Sequence, residues 1–226
     1  MTGPAGASAS PLPRPERAAG LALLPFLCTI AFYLAPPALQ DNIAVQFSPQ
    51  VLSYVGFLVW AHLNGQVAQR LGLGADLLGS GVVRGAIVGI ILGMLNVIVI
   101  LKAAPWLGYD ITFLTKTPHA RVPFWLMIPW LVCVIAVFVE LNFRGFILGR
   151  LLALSVPAPL AVLLTATLFS FDPFMVTTFQ HLHWIAVWDG IVWGMMWIRL
   201  ANLYAVITAH AVEVIIMYCI VRATFQ

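Results

Sequence analysis

The chain has 226 residues, of which 62% are hydrophobic and 8% are charged. Soluble domains carry about 25% charged residues, so this composition excludes a soluble globular protein and predicts a polytopic membrane protein. The formal net charge of +3 is small and dispersed, which argues against a nucleic-acid partner. The length fits one membrane domain of about seven helices of ~20 residues each.

The first 19 residues are rich in Pro, Ala, Ser and Gly and cannot bury a core. They predict a disordered tail over 1–19, followed by a membrane-embedded helical domain over 20–226. The fold class expected is all-α, a polytopic membrane helix bundle of about seven spans. Apolar stretches place these spans near 20–38, 51–67, 85–101, 123–143, 157–171, 182–198 and 203–221.

Basic residues favour one orientation of the bundle. With a cytoplasmic N-terminus, alternating spans place seven basic residues on or toward the cytoplasmic side and four on the opposite side. The seven are Arg14, Arg17, Arg70, Arg84, Arg144, Arg150 and Arg199. This modest excess follows the positive-inside rule and predicts an N-terminus in the cytoplasm.

A carboxylate and a guanidinium lie inside the fourth predicted span. Glu140 and Arg144 are four residues apart, so they share a helical face and can pair. Because a charge at the bilayer centre costs on the order of 3 kcal/mol, such residues usually face a protein interior and serve chemistry or transport. A purely structural ion pair is the alternative interpretation.

Histidines occur in the last two spans. His181 and His183 are two residues apart and cannot share a helical face, so only one is expected to point into a site. His210 and Glu213 are three residues apart and share a face. A carboxylate beside an imidazole fixes its tautomer and raises its basicity, which suits a general base, although an interhelical hydrogen-bond pair is the alternative.

The depths of these residues in the membrane are similar. At ~1.5 Å per helical residue, Glu140, Asp189 and His210 could share one layer, with His183 a few ångströms away. Asp189 is then a possible partner for Arg144 or His210. We expect Glu140, His183 and His210 to converge on one water-accessible cavity that opens toward the cytoplasm.

Together these residues resemble the CPBP family of intramembrane endopeptidases, which includes type II CAAX prenyl proteases and bacteriocin-processing relatives. Its pattern is E-E-x-x-x-R, then F-x-x-x-H, then H-x-x-x-N or D, on successive helices. The first element corresponds to 139–144, the second to Phe179 and His183, and the third begins at His210. The resemblance covers about 123–221, the expected protease-like core.

The sequence departs from this pattern at three points. Val139 stands where the first glutamate, usually assigned as the water-activating base, is expected. Val214 stands where the asparagine of the third element is expected. The interval from Glu140 to His183 is longer than in the family, so Asp172 is an alternative for the second element.

The resemblance implies hydrolysis of a peptide bond in a membrane-associated or lipidated substrate by a Glu/His-activated water. Catalytic roles fall on Glu140, His183 and His210. Supporting roles fall on Arg144 and Phe179 within the motifs, and on Asp189 and Glu213 as polar residues of the same layer. The resemblance also implies an integral, multi-pass protein of a bacterial-type plasma membrane, in contact with lipid and with a hydrophobic or lipidated peptide or protein.

Other functions use the same residues. A catalytically inactive family member, or pseudoprotease, would bind hydrophobic segments as a scaffold. No metal or other cofactor is expected, but two histidines and a carboxylate could hold zinc, although no H-E-x-x-H spacing is present. Transport along the polar layer is least favoured, because the chain has no repeated halves.

Overall fold

The protein is described by a computed structural model over residues 16–117 and 122–225. These residues form no strand and are 84% helical, which confirms the predicted all-α class. Eight principal helices account for the bundle. They are α1 Leu24–Leu34, α2 Ser48–Leu63, α3 Leu78–Ile98, α4 from Phe124 to Ala153, α5 Ala158–Ser170, α6 Pro173–Phe179, α7 Ile185–Leu200 and α8 Leu203–Phe225.

Each of the seven predicted spans overlaps one of these helices. Three helical stretches are long and apolar enough to cross a membrane, namely Val67–Trp106, Trp125–Ala153 and Leu203–Phe225. A fourth crossing results if Ala158–Ser170 and Pro173–Leu182, bent by 55°, count as one span. The described chain therefore offers three or four full crossings, because α1, α2 and α7 have 11, 16 and 16 residues, short of the ~20 that an upright crossing needs.

Helix α4 is one continuous but uneven helix. It contains the π-helical stretches Trp130–Ala136 and Leu141–Leu148, with Pro129 immediately before the first. π-Helical turns are rare and often occur at functional sites. The second stretch begins directly after Glu140, so the helical register changes at the residue that the sequence singled out.

Helices α3 and α8 pack closely along a row of glycines on α3. The row consists of Gly81, Gly85, Gly89 and Gly93. A Cβ atom added at Gly89 would lie 2.5 Å from the carbonyl oxygen of Ala209. Small residues at this spacing let two membrane helices approach to backbone contact. This contact fixes the position of α8, and with it the position of His210.

The described chain begins with an ion cluster at one end of the bundle. Glu16 lies 3.0 Å from Arg70 Nη1 through Oε1 and 2.7 Å from Arg150 Nε through Oε2. The Arg150 guanidinium also lies 3.9 Å from the centroid of the Trp60 ring. We call Glu16, Arg70 and Arg150 the N-terminal ion cluster. Residues 16–19 of the predicted tail are thus joined to the bundle, whereas 1–15 lie outside the described residues.

Candidate functional site

A cavity of about 720 Å³ lies between helices α2, α4, α7 and α8 and the break between α5 and α6. Most of its wall is apolar and aromatic. Its polar wall residues include Gln50, Asn142, Asp172, His183, Asp189, His210 and Glu213. A large apolar cavity with a few convergent polar groups is the usual form of a binding or active site.

The cavity extends toward the end of the bundle opposite the N-terminal ion cluster. Its wall reaches Arg222 and Phe225 in the last turn of α8. Helix α8 begins near the other end, where the backbone N–H of Leu203 donates to the carbonyl of Gly72 at 2.9 Å. Two wall residues on α4, Val134 and Phe138, are also exposed, so the cavity opens sideways toward lipid as well.

The opening toward the cytoplasm stays a prediction, and the lining residues lie on the side of the polar layer away from residue 16. The depth of each polar residue along its helix indicated a shared layer. It did not indicate on which side of that layer the helices pack closely and on which side the cavity lies. Phe146, Ile147 and Leu203 are fully buried and fill the side toward the N-terminal ion cluster. The open space is left on the other side.

Glu140, Arg144 and His210 form one buried cluster, which we call the Glu140 cluster. Glu140 Oε1 accepts a hydrogen bond from Arg144 Nη1 at 3.0 Å, so the predicted i,i+4 pairing is confirmed. The same oxygen lies 2.7 Å from Nδ1 of His210. Because a carboxylate oxygen only accepts, Nδ1 carries the proton and Nε2 of a neutral His210 keeps a lone pair.

The two residues of the E-E position face different surroundings. Val139 lines the cavity, whereas Glu140 is fully buried and is not part of the cavity wall. Successive residues on a helix point about 100° apart, which accounts for the separation. His210 is part of the wall, so this imidazole connects Glu140 to the cavity.

Aromatic rings hold the imidazole and the guanidinium of the Glu140 cluster in place. The Trp193 ring stacks on His210 with centroids 4.2 Å apart and an angle of 23° between the planes. The Arg144 guanidinium lies 4.9 Å from the centroid of Trp193 and 5.0 Å from that of Phe169. Such stacking restricts both groups to one orientation.

A second polar cluster, the Asn96 cluster, contains Asn96, Asp189 and Glu213. Asn96 Nδ2 lies 3.1 and 3.0 Å from the two carboxylate oxygens of Asp189 and 2.7 Å from Oε1 of Glu213. Asn96 Oδ1 accepts from Trp188 Nε1 at 2.9 Å. All three members of the cluster are buried.

The Asn96 cluster changes two predicted pairings. Asp189 was expected to pair with Arg144 or His210, but its hydrogen-bond partner is Asn96. Glu213 was expected to hold the imidazole of His210, but Glu140 does so. The physical reason is that residues three apart on a helix share a face only approximately: His210 points toward α4 and Glu213 toward α3.

Sequence reasoning missed Asn96. A usable signal was present, because Asn96 is a polar residue in the apolar run Leu95–Val97 and intramembrane polar residues usually have a partner. It also follows Gly93 by three residues. The same face of α3 that carries the glycine row therefore presents Asn96 to α8.

The two neighbouring histidines point in different directions, as their spacing predicts. His183 lines the cavity, and its Nδ1 lies 3.1 Å from the carbonyl oxygen of Ser170. The Ser170 hydroxyl donates to the carbonyl of His183 at 2.7 Å, which ties α5 to this segment. His181 instead stacks on the ring of Tyr109 with centroids 4.9 Å apart.

The remaining candidates of the second motif also line the cavity. Phe179 is part of the wall. Asp172 starts a turn and caps α6 by accepting from the backbone N–H of Phe174 at 3.0 Å. Its Oδ1 also accepts from Gln50 at 2.8 Å. These bonds assign Asp172 a structural task.

A metal centre has no structural counterpart in the described ranges 16–117 and 122–225. They contain no group of three or more His, Cys, Asp or Glu side chains placed to hold a metal ion. The two cavity histidines are instead engaged through Nδ1, His210 by Glu140 and His183 by Ser170.

Residues 121–216 match the family model described as type II CAAX prenyl endopeptidase Rce1-like. The match supports the resemblance of this part of the chain to the CPBP family. The match contains every motif residue from Val139 to Glu213, whereas α1, α2 and α3 with Asn96 precede it. Comparison with curated proteins gave no match, and no solved structure matches the chain. The family is one of proteases, and the chain is an integral, multi-pass membrane protein.

Proposed function

We propose that this chain is an intramembrane endopeptidase that hydrolyses a peptide bond of a membrane-associated or lipidated substrate with a Glu/His-activated water. The observation that carries the proposal is the 2.7 Å contact between Glu140 and Nδ1 of His210. A carboxylate on one imidazole nitrogen raises the basicity of the other nitrogen. His210 is the member of this pair that faces the cavity.

In the proposed reaction, His210 Nε2 takes a proton from water as the water oxygen attacks the substrate carbonyl. Glu140 orients the imidazole and stabilises its positive charge, and Arg144 donates a hydrogen bond to Glu140. This assignment makes Glu140 a positioning residue that acts through His210. It differs from the family-derived expectation, in which Glu140 faces the water itself.

His183 is proposed to orient the same water. Its Nδ1 lies 3.1 Å from the Ser170 carbonyl oxygen, which only accepts, so the proton lies on Nδ1 and Nε2 is an acceptor. A second acceptor in the cavity can hold the water hydrogen that is not transferred. His183→Ala therefore reduces turnover more than it reduces peptide binding.

The substrate class follows from the cavity wall. Aromatic and aliphatic side chains dominate it, and the exposed wall residues Val134 and Phe138 lie on the side of α4 that faces lipid. A hydrophobic or lipidated segment can enter from the membrane without crossing a polar surface. The apolar wall thus supports a lipid-embedded substrate over a soluble peptide.

A second function, a pseudoprotease that binds such segments without cutting them, is favoured by one observation. Val139 occupies the cavity wall at the position where the family pattern has its first glutamate. An inactive chain would keep the Glu140 cluster only to hold α4 and α8 together. Both functions predict binding, so turnover must separate them.

The deciding experiment measures cleavage of a panel of membrane-anchored peptides in proteoliposomes by mass spectrometry. The proposal predicts cleavage by the wild type and a loss of at least about 100-fold in His210→Ala, the usual scale for removal of a general base. Binding without cleavage by the wild type, together with a gain of cleavage in Val139→Glu, would establish the pseudoprotease instead.

A further inference from the structure

We infer that Asp189 and Glu213 hold a single proton between them and that this pair is the proton donor of the reaction. The inference rests on the proposed endopeptidase function for the donor role, but the shared proton is a property of the protein alone. Neither residue has a counterpart in the three family motifs. Both line the cavity that His210 also lines.

The orientation of Asn96 fixes the geometry of the pair. The indole N–H of Trp188 can only donate, so the atom of Asn96 that faces it at 2.9 Å must be the carbonyl Oδ1. The Nδ2 group therefore faces the two acids. One amide nitrogen thus donates to both carboxyl groups, at 3.0 Å to Asp189 and 2.7 Å to Glu213.

Charge balance then requires a proton on the pair. The buried cation nearest to it, Arg144, acts electrostatically on Asp189 and Glu213 but donates its hydrogen bond to Glu140. His210 is likewise held by Glu140. Two ionised carboxylates that share one neutral amide, without a cation in contact, repel each other in a buried site, so one of them keeps its proton.

Glu213 also has an oxygen that the protein leaves without a partner. Its Oε2 is buried and has no hydrogen-bond partner within the described ranges, although Oε1 is bonded to Asn96. The side chain is only 1% exposed and forms part of the cavity wall. Buried polar atoms normally have partners, so an orphaned carboxyl oxygen at a cavity indicates a group that is completed by a bound molecule.

The proposed proton transfers balance over one turnover. The water oxygen bonds to the carbonyl carbon while one water proton moves to His210 Nε2. The proton held by Asp189 and Glu213 passes to the amide nitrogen as the C–N bond breaks, which releases a carboxylic acid and an amine. The proton on His210 then returns to the pair, one helical turn away, so the protein regains its starting state.

This arrangement supplies an acid that the first motif lacks. Val139 leaves the α4 wall apolar, and the carboxyl groups come instead from α7 and α8, held by Asn96 from a helix outside the family match. Val139, at the motif position, and the two acids Asp189 and Glu213 therefore line the same cavity. The chain keeps a cavity carboxyl group although its motif position has lost one.

The shared proton is tested without any substrate. Infrared spectra of the detergent-solubilised protein at neutral pH, recorded in H2O and D2O, detect the C=O band of a protonated carboxyl group. We expect the double variant Asp189→Asn/Glu213→Gln to lose the intensity of one such group, whereas Glu140→Gln, which removes an ion-paired acid, loses none. A double variant with the wild-type band would overturn the shared proton.

The donor role is tested by turnover and by binding of the same membrane-anchored peptide. We expect Glu213→Gln to lower kcat by at least about 100-fold with little change in peptide binding, and Glu213→Asp to recover part of the loss. Wild-type turnover in Glu213→Gln would overturn the donor role while leaving the proposed function intact. A wild type that cleaves nothing would overturn both, and the infrared result would still judge the shared proton.

Discussion

The N-terminal ion cluster and the Glu140 cluster each pair a glutamate with arginine but differ in what surrounds them. In the first, Glu16 bridges Arg70 and Arg150, and the side chains of Glu16 and Arg70 are each 13% exposed. In the second, Glu140 and Arg144 are fully buried, and Glu140 also binds His210. Only the second cluster adjoins the cavity, through His210.

This difference shows that a charge within an apolar chain does not by itself mark a functional site. Glu16 has all its described partners within its own cluster and ties the start of the chain to the bundle. The Glu140 cluster leaves Glu140 Oε2 and two guanidinium nitrogens of Arg144 without partners in the described ranges. The N-terminal ion cluster also has an unpartnered atom in the described ranges, Arg150 Nη1, so what separates the candidate site from it is contact with the cavity through His210.

The largest difference between the clusters is expected in stability. Arg144→Leu leaves Glu140 as a buried charge without its cation, which costs about 3–5 kcal/mol. Arg150→Leu leaves Glu16 with Arg70 and partial access to water, so its loss is smaller. Thermal melting in detergent compares the two variants. Equal losses of stability in the two variants would contradict this expectation, because they would mean that Glu140 remains compensated when Arg144 is replaced.

Replacing one histidine inside the cavity wall and one outside it tests whether cleavage depends on the cavity. We expect His210→Ala to lose at least about 100-fold in cleavage of a membrane-anchored peptide, because it removes the proposed base. His181→Ala serves as the matched control, since His181 stacks on Tyr109 and is not part of the cavity wall. A comparable loss in both variants would mean that the effect arises from folding rather than from chemistry.

The glycine row tests how far the site depends on helix packing. Gly89→Ala introduces a Cβ 2.5 Å from the carbonyl oxygen of Ala209, next to His210, and we expect about 1–3 kcal/mol of destabilisation from overpacking. Gly79→Ala is the control, because a Cβ at Gly79 meets no atom within 4 Å. An unchanged melting temperature for Gly89→Ala would contradict the close contact of α3 with α8.

The smallest effect is expected at the N-terminal ion cluster. Glu16→Gln keeps the size and the acceptor atom but removes the charge that Arg70 and Arg150 share, so we expect a loss of about 1–2 kcal/mol. Raised salt lowers the wild-type value toward that of the variant, because these side chains reach water. A larger loss than that of Arg144→Leu would reverse the ranking of the two clusters.

The sequence predicted the helices and the Glu140–Arg144 pair because both depend on local properties. Apolar runs predict helices in a membrane, and a spacing of four residues places two side chains on one face. Crossing lengths were less predictable, because breaks such as that at Asp172 and the π-helical stretches of α4 depend on packing. The second motif placed His183 in a segment that does line the cavity.

Contacts between distant helices were not predictable in the same way. Asn96 is 93 residues from Asp189 and 117 from Glu213, and only the packing of α3 with both α7 and α8 brings them together. The same packing assigns His210 to Glu140 instead of Glu213. A single sequence shows which residues share a face of a helix, but not which helix packs against that face. The hydrogen-bond partners and the position of the cavity therefore became known only from the structure.

Cleavage of a membrane-anchored peptide by Glu140→Gln and by Glu16→Gln, measured side by side in proteoliposomes, tests the central claim most directly. Both variants replace an arginine-paired glutamate by its amide, but only Glu140 contacts a histidine of the cavity wall. The account predicts a loss of at least about 100-fold for Glu140→Gln and a rate near that of the wild type for Glu16→Gln. Wild-type cleavage by Glu140→Gln would contradict it.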